Sequence, residues 1–578
     1  MPTIEVAISD LESLLEETLS RERLETLLEK VKGEVKDFSP ETGMAKIELN
    51  DTNRPDLWSP EGIVRQLRPP KKPWRQAYPF FDGATQATHR VDISKDVAAV
   101  RPYLAACISR GMTVTPAILD QLIQTQEKLA ESFGRKRQTV SIGLYRLPLI
   151  KFPVQYTLAD PESTRFIPLG FESPMSLNEI LSAHPKGLEY AGTLAGADRY
   201  PILKDAKGEI LSFPPIINSQ SIGEVAVGDS ELFVEVTGTD LRMVVLAINI
   251  FAANLADRGA SIEAIALNYP EATAFGARFQ TPYDLSEALD LDLATLNRVL
   301  GERVEMEEAC RVLEAYGLTT LPEGQHLKVS VPPYRDDIMH PIDLVEDFAI
   351  SRGLASFVPE MPATFTVGAL SKIEQFSDAL RDALIGYGFE EVVSNILGSS
   401  EDLLGKMRLQ ANQGDHAESA ETRIVVIENP MTERFSLLRS WLLPSLLRVE
   451  GASSKAYYPH RIFEVGEIAQ RAPETATLKN GASTRAQTRT SLRLGALIAH
   501  PHANFSELHA VLEALFFRLS VNYRLAPKAY PSLIDGRAGQ ILAQDRELGW
   551  IGEVHPEVLD AWQIGMPTVA FEINIEKI

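Results

Sequence analysis

The stretch that most constrains this chain is residues 331–350, VPPYRDDIMHPIDLVEDFAI, which combines a strand end, a turn and an acidic helix start. Residues 328–331 are predicted to form a short strand. The two prolines that follow end it, because proline has no N–H to donate to a neighbouring strand. A helix is expected to begin near Pro341, where a missing N–H costs nothing. A strand and a helix are therefore predicted to meet at one tight acidic turn.

Four carboxylates accompany this predicted helix. Asp343, Glu346 and Asp347 are spaced at i, i+3 and i+4, so they share one helix face, and Asp337 lies just before the helix. Oxygen donors of this kind are the ligands that Mg²⁺ prefers. Acidic residues in a first turn also complement the helix dipole without any metal. The spacing alone leaves both interpretations open.

Length and charge limit the class of protein. A chain of 578 residues is too long for one hydrophobic core and should form about three to five domains. No apolar run approaches the roughly 20 residues that span a bilayer, and the N-terminus lacks a signal-peptide pattern. We therefore expect a cytoplasmic protein with no membrane association. The net charge of −22 opposes a general nucleic-acid binder, because phosphate affinity depends mainly on Lys and Arg.

The pattern of helices and strands divides the chain into four segments, 1–85, 90–272, 275–355 and 362–578. The predicted class is an α+β multidomain fold. Its parts are a small N-terminal α/β domain, a domain of mixed sheets and helices, a small helical domain, and an antiparallel sheet backed by helices. Within the third segment, residues 285–291 have a short helical pattern.

Polar residues follow two apolar runs of the second segment. Asn218 and Ser219 come after the constrained sequence Phe-Pro-Pro-Ile-Ile, and Thr239 and Asp240 follow a predicted strand at 231–237. Loops of this kind often line pockets, although a plain turn explains the residues equally well.

Two further kinds of segment are predicted to lie at the surface. The basic run at 134–137 is predicted to be a solvated turn, and RNA contact remains an alternative. Polar stretches at 410–421 and 472–490 are predicted to be loops.

Taken together, several phrases resemble one family, the β subunit of phenylalanyl-tRNA synthetase, in its shorter archaeal and eukaryotic form. They occur in the family's order and cover nearly the whole chain. The phrases are NDTNRPDLWSPEGIVRQL, YPILKDAKGEILSFPPIINS, VEVTGTD, VPPYRDDIMHPIDLVEDFAI, NPMTERFSLLRSWLLPSLL and HRIFEVGEIAQ.

The resemblance implies partners and a division of labour. Family members form an (αβ)₂ heterotetramer that binds tRNA(Phe), and the α subunit holds the ATP-dependent aminoacylation site. The β chain ends in a class II synthetase-like module that has lost this activity. Arg461 and Glu464 resemble the second class II motif, whereas the arginine-ending third motif is absent from 569–575. The third segment then corresponds to a winged-helix-like domain called B5.

A second implied activity is hydrolysis of tyrosine misattached to tRNA(Phe), in the B3/B4-like editing domain at 90–272. Such a step is needed because an apolar pocket rejects an added hydroxyl by only about 10²-fold. Asn218, Ser219, Thr239 and Asp240 are the candidate editing residues, with Asn218 and Asp240 first.

The resemblance also implies a Mg²⁺ site on Asp337, Asp343, Glu346 and Asp347, with Asp336 as the alternative first ligand. Two other functions stay open at this point. One is a structural and tRNA-docking subunit without editing activity, and the other is a free-standing Mg²⁺-dependent hydrolase.

Overall fold

The computed structural model describes residues 2–69, 71–83, 86–409, 423–453, 455–471, 488–544 and 546–578. The chain forms two compact units, Met1–Met361 and Pro362–Ile578. Both units combine helices with sheets, which confirms the mixed α+β class. The predicted loops at 410–421 and 472–487 lie outside the described residues. The loop prediction is wrong for residues 488–490, which begin a strand paired with residues 469–471. In the part of the chain that is described, no helix is long and apolar enough to cross a membrane.

The N-terminal part of the first unit is a three-stranded sheet, ordered β1-β3-β2, with helices packed on it. Ser59 caps the third helix by accepting a hydrogen bond from the Gly62 N–H, as its sequence predicts. The elements are β1 (Thr3–Ala7), α1 (Ile8–Leu15), α2 (Arg21–Leu28), β2 (Gly33–Ser39), β3 (Met44–Leu49), α3 (Pro60–Leu67) and α4 (Trp74–Ala77).

The next part of the first unit is a ten-stranded sheet with helices packed against it. Its elements are β4 (His89–Ile93), β5 (Tyr103–Arg110), α5 (Pro116–Lys128), β6 (Val140–Arg146), β7 (Val154–Ala159), β8 (Arg165–Phe166), β9 (Met175–Ser176), α6 (Leu177–Ala183), α7 (Pro185–Tyr190), β10 (Tyr200–Lys204), β11 (Ile210–Phe213), β12 (Ile217–Asn218), β13 (Glu231–Gly238), α8 (Leu241–Asp257), β14 (Ser261–Thr273) and β15 (Gly276–Thr281). The strand order is β12-β11-β10-β7-β4-β14-β5-β13-β6, with β15 added to β14, while β8 and β9 form a separate pair.

Helix α8 is the buried support of this sheet. Its apolar sequence predicts a buried helix at 246–256, and the structure confirms it with fully enclosed side chains such as Val245 and Phe251. The helix packs against β5 and β13. Strand β13 is therefore held between two neighbouring strands and a helix, which gives its side chains fixed positions.

The last part of the first unit contains β16 (Ala288–Asp292), α9 (Leu293–Leu300), α10 (Met306–Glu314), β17 (Thr319–Glu323), β18 (His326–Ser330) and α11 (Pro341–Arg352). The helix predicted from Pro341 is confirmed. The helical prediction for residues 285–291 is wrong, because 288–292 pair with β18 as a strand. Their alternation of apolar and polar residues fits a strand with one buried face.

The second unit is built on a seven-stranded sheet, ordered β19-β23-β24-β28-β27-β26-β25. Helices α12 and α15 pack on one face, and α14 packs on the other. The elements are α12 (Lys372–Gly386), β19 (Glu390–Glu391), β20 (Leu397–Gly398), α13 (Ser400–Leu403), β21 (Val425–Val426), β22 (Leu437–Leu438), α14 (Leu443–Ala452), β23 (His460–Arg471), β24 (Thr488–Ala499), α15 (Phe505–Arg518), β25 (Arg524–Pro527), β26 (Leu533–Ala543), β27 (Arg546–Val554), α16 (Pro556–Ala561) and β28 (Thr568–Asn574).

Candidate functional site

A cavity of about 560 Å³ opens in the first unit between α5, β6 and the hairpin of β11 and β12. This volume is in the range of small-molecule sites. Apolar side chains form most of its wall, and a few polar groups converge on it. The apolar wall includes Leu122, Ile142, Leu144, Phe213 and Ile216, and the polar groups include Arg137, Ser141, Ser212, Asn218 and Glu235.

The hairpin places Asn218 at the cavity. Ser212 pairs with Asn218, and Phe213 pairs with Ile217, across the two short strands. Gly223 packs against Asn218 so closely that an added Cβ would overlap the asparagine side chain. A glycine is therefore required there, and the close contact restricts the position of Asn218.

Glu235 is the most unusual polar group of the cavity wall. Its side chain is 2% exposed in the middle of β13. The Tyr145 hydroxyl donates to Oε1 over 2.9 Å, whereas Oε2 is buried without a hydrogen-bond partner among the described residues. Burial raises the pKa of Glu235 to about 7, although Tyr145 and Arg101 oppose the shift. A buried acceptor without a partner is unusual in a native protein and indicates a missing donor.

Tyr145, which is buried behind the cavity wall, lies between Glu235 and Asn218. The Tyr145 oxygen lies 3.4 Å from Asn218 Oδ1, and Asn218 Nδ2 donates to the Leu144 carbonyl over 3.3 Å. Burial and the neighbouring Glu235 raise the pKa of Tyr145 well above its ordinary value. Tyr145 therefore keeps its proton and remains a donor to Glu235.

Arg137 holds the hairpin from the opposite side of the cavity. It donates to the carbonyls of Pro215 and Ile216 over 3.0 and 2.9 Å, and its guanidinium lies 4.2 Å from the centre of the Tyr190 ring. Arg135, Lys136 and Arg137 all have positive φ values. The basic run is thus a tight turn, as predicted, and the Arg137 side chain forms its contacts within the protein. An RNA contact of the run stays a prediction.

The four predicted editing residues lie in two different places. Asn218 lines the cavity, and Ser219 is buried directly beside it with no described partner for its hydroxyl. Thr239 donates to the Gln138 carbonyl, and Asp240 caps α8 by accepting from the Met243 N–H over 3.0 Å. Neither Thr239 nor Asp240 lines the cavity, because β13 ends before them.

Sequence reasoning did not find Glu235, Tyr145 and Ser212. For Glu235 a signal exists, since it is the only charged residue inside the otherwise apolar core of β13, FVEVTG. Its side-chain direction follows from the strand period of two once the ends of β13 are known.

The acidic helix start is organised around Arg335. Its guanidinium contacts Asp337 at 2.5 Å and Asp347 at 2.8 Å, and all three side chains are buried. Arg54 lies 3.6 Å from Asp337 and contacts Asp56 at 2.8 Å. Although burial opposes ionisation, Arg335 and Arg54 lower the pKa of Asp337 to about 2. Arg54 and Asp56 thus form their ion pairs with each other and with Asp337, inside the protein.

The other carboxylates have separate partners. Asp343 accepts from the Met339 and His340 N–H groups, each over 2.8 Å, and so caps α11. Glu346 contacts Lys32 at 2.6 Å. Asp336 contacts Arg242. Of the predicted magnesium ligands, the structure brings together only Asp337 and Asp347, with a guanidinium between them.

This arrangement does not fit a magnesium ion. Two of the four carboxylates already neutralise Arg335, and a divalent cation beside two buried guanidinium groups would be repelled. Within the described ranges, no group of three or more His, Cys, Asp or Glu side chains is arranged to hold a metal. The magnesium site stays a prediction that this arrangement does not support.

A thermal-shift titration tests the point. We expect about 10 mM MgCl₂ to leave the melting temperature of the full chain unchanged, relative to NaCl of equal ionic strength. An ion bound with a Kd near 100 μM would add roughly 2.7 kcal/mol to the free energy of unfolding. A saturable rise in melting temperature that Asp343→Asn abolishes would contradict the arrangement described above.

Two family models match the chain. The model described as "tRNA synthetase B5 domain" matches residues 289–354, and "Phenylalanyl tRNA synthetase beta chain CLM domain" matches 357–575. The phenylalanine–tRNA ligase β subunit of Borrelia hermsii (strain HS1 / DAH) is 36% identical over 582 residues, with 100% of both chains covered. This chain belongs to the phenylalanine–tRNA ligase β-subunit family. It is therefore a subunit of an aminoacyl-tRNA synthetase, a ligase of protein biosynthesis.

Two further members of the family are also similar to this chain. The β subunit of Borrelia recurrentis (strain A1) is 35% identical over 579 residues, covering 100% of this chain and 99% of its own. A crystal structure of an N-terminal fragment of the phenylalanyl-tRNA synthetase β subunit from Pyrococcus horikoshii is 33% identical, with a TM-score of 0.56. It covers 61% of this chain and 99% of the fragment.

Proposed function

We propose that the cavity at Asn218 and Glu235 hydrolyses tyrosine from misacylated tRNA(Phe). The observation that carries this proposal is the Glu235 carboxylate oxygen, which is buried on the cavity wall without a described partner. The hydroxyl of a bound tyrosine would donate to that oxygen. A phenylalanine ring would leave the oxygen unpaired, and an unpaired buried acceptor costs about 1–3 kcal/mol. The cavity therefore favours tyrosine.

The reaction is a hydrolysis of the ester between the tyrosine carboxyl carbon and a ribose oxygen of the tRNA. Water adds its hydroxyl to the carbonyl carbon, the ester bond breaks, and the ribose oxygen takes the proton. The described residues that line the cavity include no histidine or cysteine. We therefore assign Glu235 to recognition of the substrate and Tyr145 to positioning of Glu235. We assign the positioning of water to backbone and substrate groups.

Aminoacylation is assigned to an α partner in an (αβ)₂ heterotetramer. In the second unit, Arg461 contacts Glu507 at 2.9 Å, and Glu464 is fully enclosed against Arg439 at 2.8 Å. Both motif residues are thus bonded within the module, which supports loss of ATP activation there. The four-domain division, the archaeal and eukaryotic subtype and the cytoplasmic location belong to the same proposal. The similarity to the Pyrococcus horikoshii fragment supports the subtype.

Co-expression with the α subunit tests this function. We expect a stable complex that charges tRNA(Phe) with phenylalanine and releases tyrosine from Tyr-tRNA(Phe). Assembly and charging without tyrosine release would favour a docking subunit that lacks editing. Hydrolytic activity of the chain alone that depends on Mg²⁺ would favour the free-standing hydrolase.

Asp240→Ala separates the two groups of predicted editing residues. Because Asp240 only caps α8, its loss should lower the free energy of unfolding by about 1 kcal/mol. Tyrosine release should remain at the wild-type rate. Urea unfolding and a deacylation assay measure the two quantities, and a loss of hydrolysis at unchanged stability would return Asp240 to the site.

A further inference from the structure

A second cavity lies in the second unit and includes none of the residues assigned to hydrolysis. It has a volume of about 510 Å³ and opens on the sheet face that also packs against α14. Strands β24, β27 and β28 form its floor. Its size is that of a small-molecule site. Nothing in the proposed hydrolysis uses it.

The wall of this cavity contains an aromatic cluster. The rings of Trp441 and Trp550 meet edge to face with centroids 5.9 Å apart, and Tyr530 lies 6.3 Å from Trp550. Trp441 is only 5% exposed, and its Nε1–H has no hydrogen-bond partner among the described residues. A buried donor without a partner on a cavity wall indicates an acceptor on a ligand.

A carboxylate and two cations lie on the same floor. Glu572 is 3% exposed on the central strand, and its Oε2 accepts from the Leu442 N–H over 2.7 Å. Arg493 and Lys577 also line the cavity, where Arg493 donates to the Ser491 hydroxyl over 3.3 Å and Lys577 donates to the Glu547 carbonyl over 3.1 Å. Burial and the nearby Arg493 lower the pKa of Lys577. A bound anion would relieve this repulsion between like charges.

The strand register sets the spacing of the opposite charges. Arg493 lies opposite Asn574, and Gly495 and Trp550 lie opposite Glu572 on either side. Arg493 and Glu572 are therefore diagonal neighbours on one face, about 7–8 Å apart at their backbones. A ligand whose negative and positive groups are separated by one or two bonds can therefore contact Arg493 and Glu572 at the same time.

We propose that this cavity binds a free aromatic amino acid. Its carboxylate meets Arg493 and Lys577, its ammonium meets Glu572, and its ring packs against Trp441 and Trp550. A nucleotide fits less well, because the buried Glu572 carboxylate on the floor would face a negative charge, whereas the ammonium of an amino acid pairs with it. The site is independent of the cavity at Glu235.

Equilibrium dialysis of labelled L-phenylalanine against the full chain tests this inference. We expect saturable binding. Two analogues should compete poorly for the site: 3-phenylpropionate, which lacks the ammonium, and L-alanine, which lacks the ring. Arg493→Met should weaken binding about tenfold, and Trp441→Phe, which removes the N–H together with part of the ring, about threefold or more. Arg537→Met, on β26 and outside the cavity, is the control and should bind like wild type.

Several outcomes would overturn the inference. They are absence of saturable binding, equal binding of 3-phenylpropionate, and tighter binding of adenosine monophosphate. Equal weakening by Arg537→Met would also overturn the inference, because the effect would then come from the overall positive charge of the protein and not from this cavity. Wild-type binding by both Arg493→Met and Trp441→Phe would place the phenylalanine outside this cavity.

Discussion

Glu235→Met is expected to lower kcat/KM for Tyr-tRNA(Phe) hydrolysis by about a hundredfold, with phenylalanine charging unchanged. Methionine keeps the length of the side chain and removes both carboxylate oxygens. The tyrosine hydroxyl then loses its acceptor in a buried cavity, and sites built to bond a substrate hydroxyl depend strongly on that bond. Single-turnover release of labelled tyrosine from the αβ complex measures the effect.

The stability of this variant provides the control. Burial raises the pKa of Glu235 from 4.5 to about 7, so the folded protein is stabilised by the protonated form and loses that stability as the pH rises through about 7. At pH 8 the methionine variant should therefore be no less stable than wild type. A hundredfold loss of hydrolysis in a stable variant supports recognition by Glu235, and wild-type hydrolysis would remove Glu235 from the site.

Arg335→Met is expected to lower the free energy of unfolding by about 3–5 kcal/mol. The variant leaves Asp337 and Asp347 buried without their main cation, and breaking a buried ion pair from one side costs this much. Urea unfolding followed by circular dichroism measures the change. In wild type, the contribution of Asp337 should be present above pH 3.8 and be lost as the pH falls through about 2.

Arg242→Met is the matched control, because Arg242 contacts Asp336 in a half-exposed pair. Exposed pairs contribute about 0–1 kcal/mol, so this variant should differ little from wild type. Equal losses in both variants would show that the buried network around Arg335 has no special weight. A wild-type value for Arg335→Met would contradict the network outright.

Much of the fold follows from local pattern. The acidic helix from Pro341 and the apolar helix α8 are both predicted, because caps, proline and apolar spacing are properties of neighbouring residues. Residues 285–291 are misassigned because so short an apolar pattern fits either structure. Their pairing with β18, about forty residues later, decides between the two.

The candidate site can be predicted only in part, because the pairing of distant strands brings some of its residues together. Asn218 and Ser219 follow a proline-constrained loop that marks them locally. Glu235 reaches the cavity through the register of β13, and its partner Tyr145 comes from β6, so only the pairing of these strands brings the two together. The spacing of the four carboxylates near α11 suggests a shared metal site. It does not reveal that Arg335 lies between Asp337 and Asp347.

Deacylation of Tyr-tRNA(Phe) compared with Phe-tRNA(Phe) by the wild-type αβ complex tests the central claim most directly. If the cavity recognises the tyrosine hydroxyl through Glu235, the ratio of the two kcat/KM values should be about a hundred or more in favour of tyrosine. A ratio near one, at measurable rates for both substrates, would contradict the assignment.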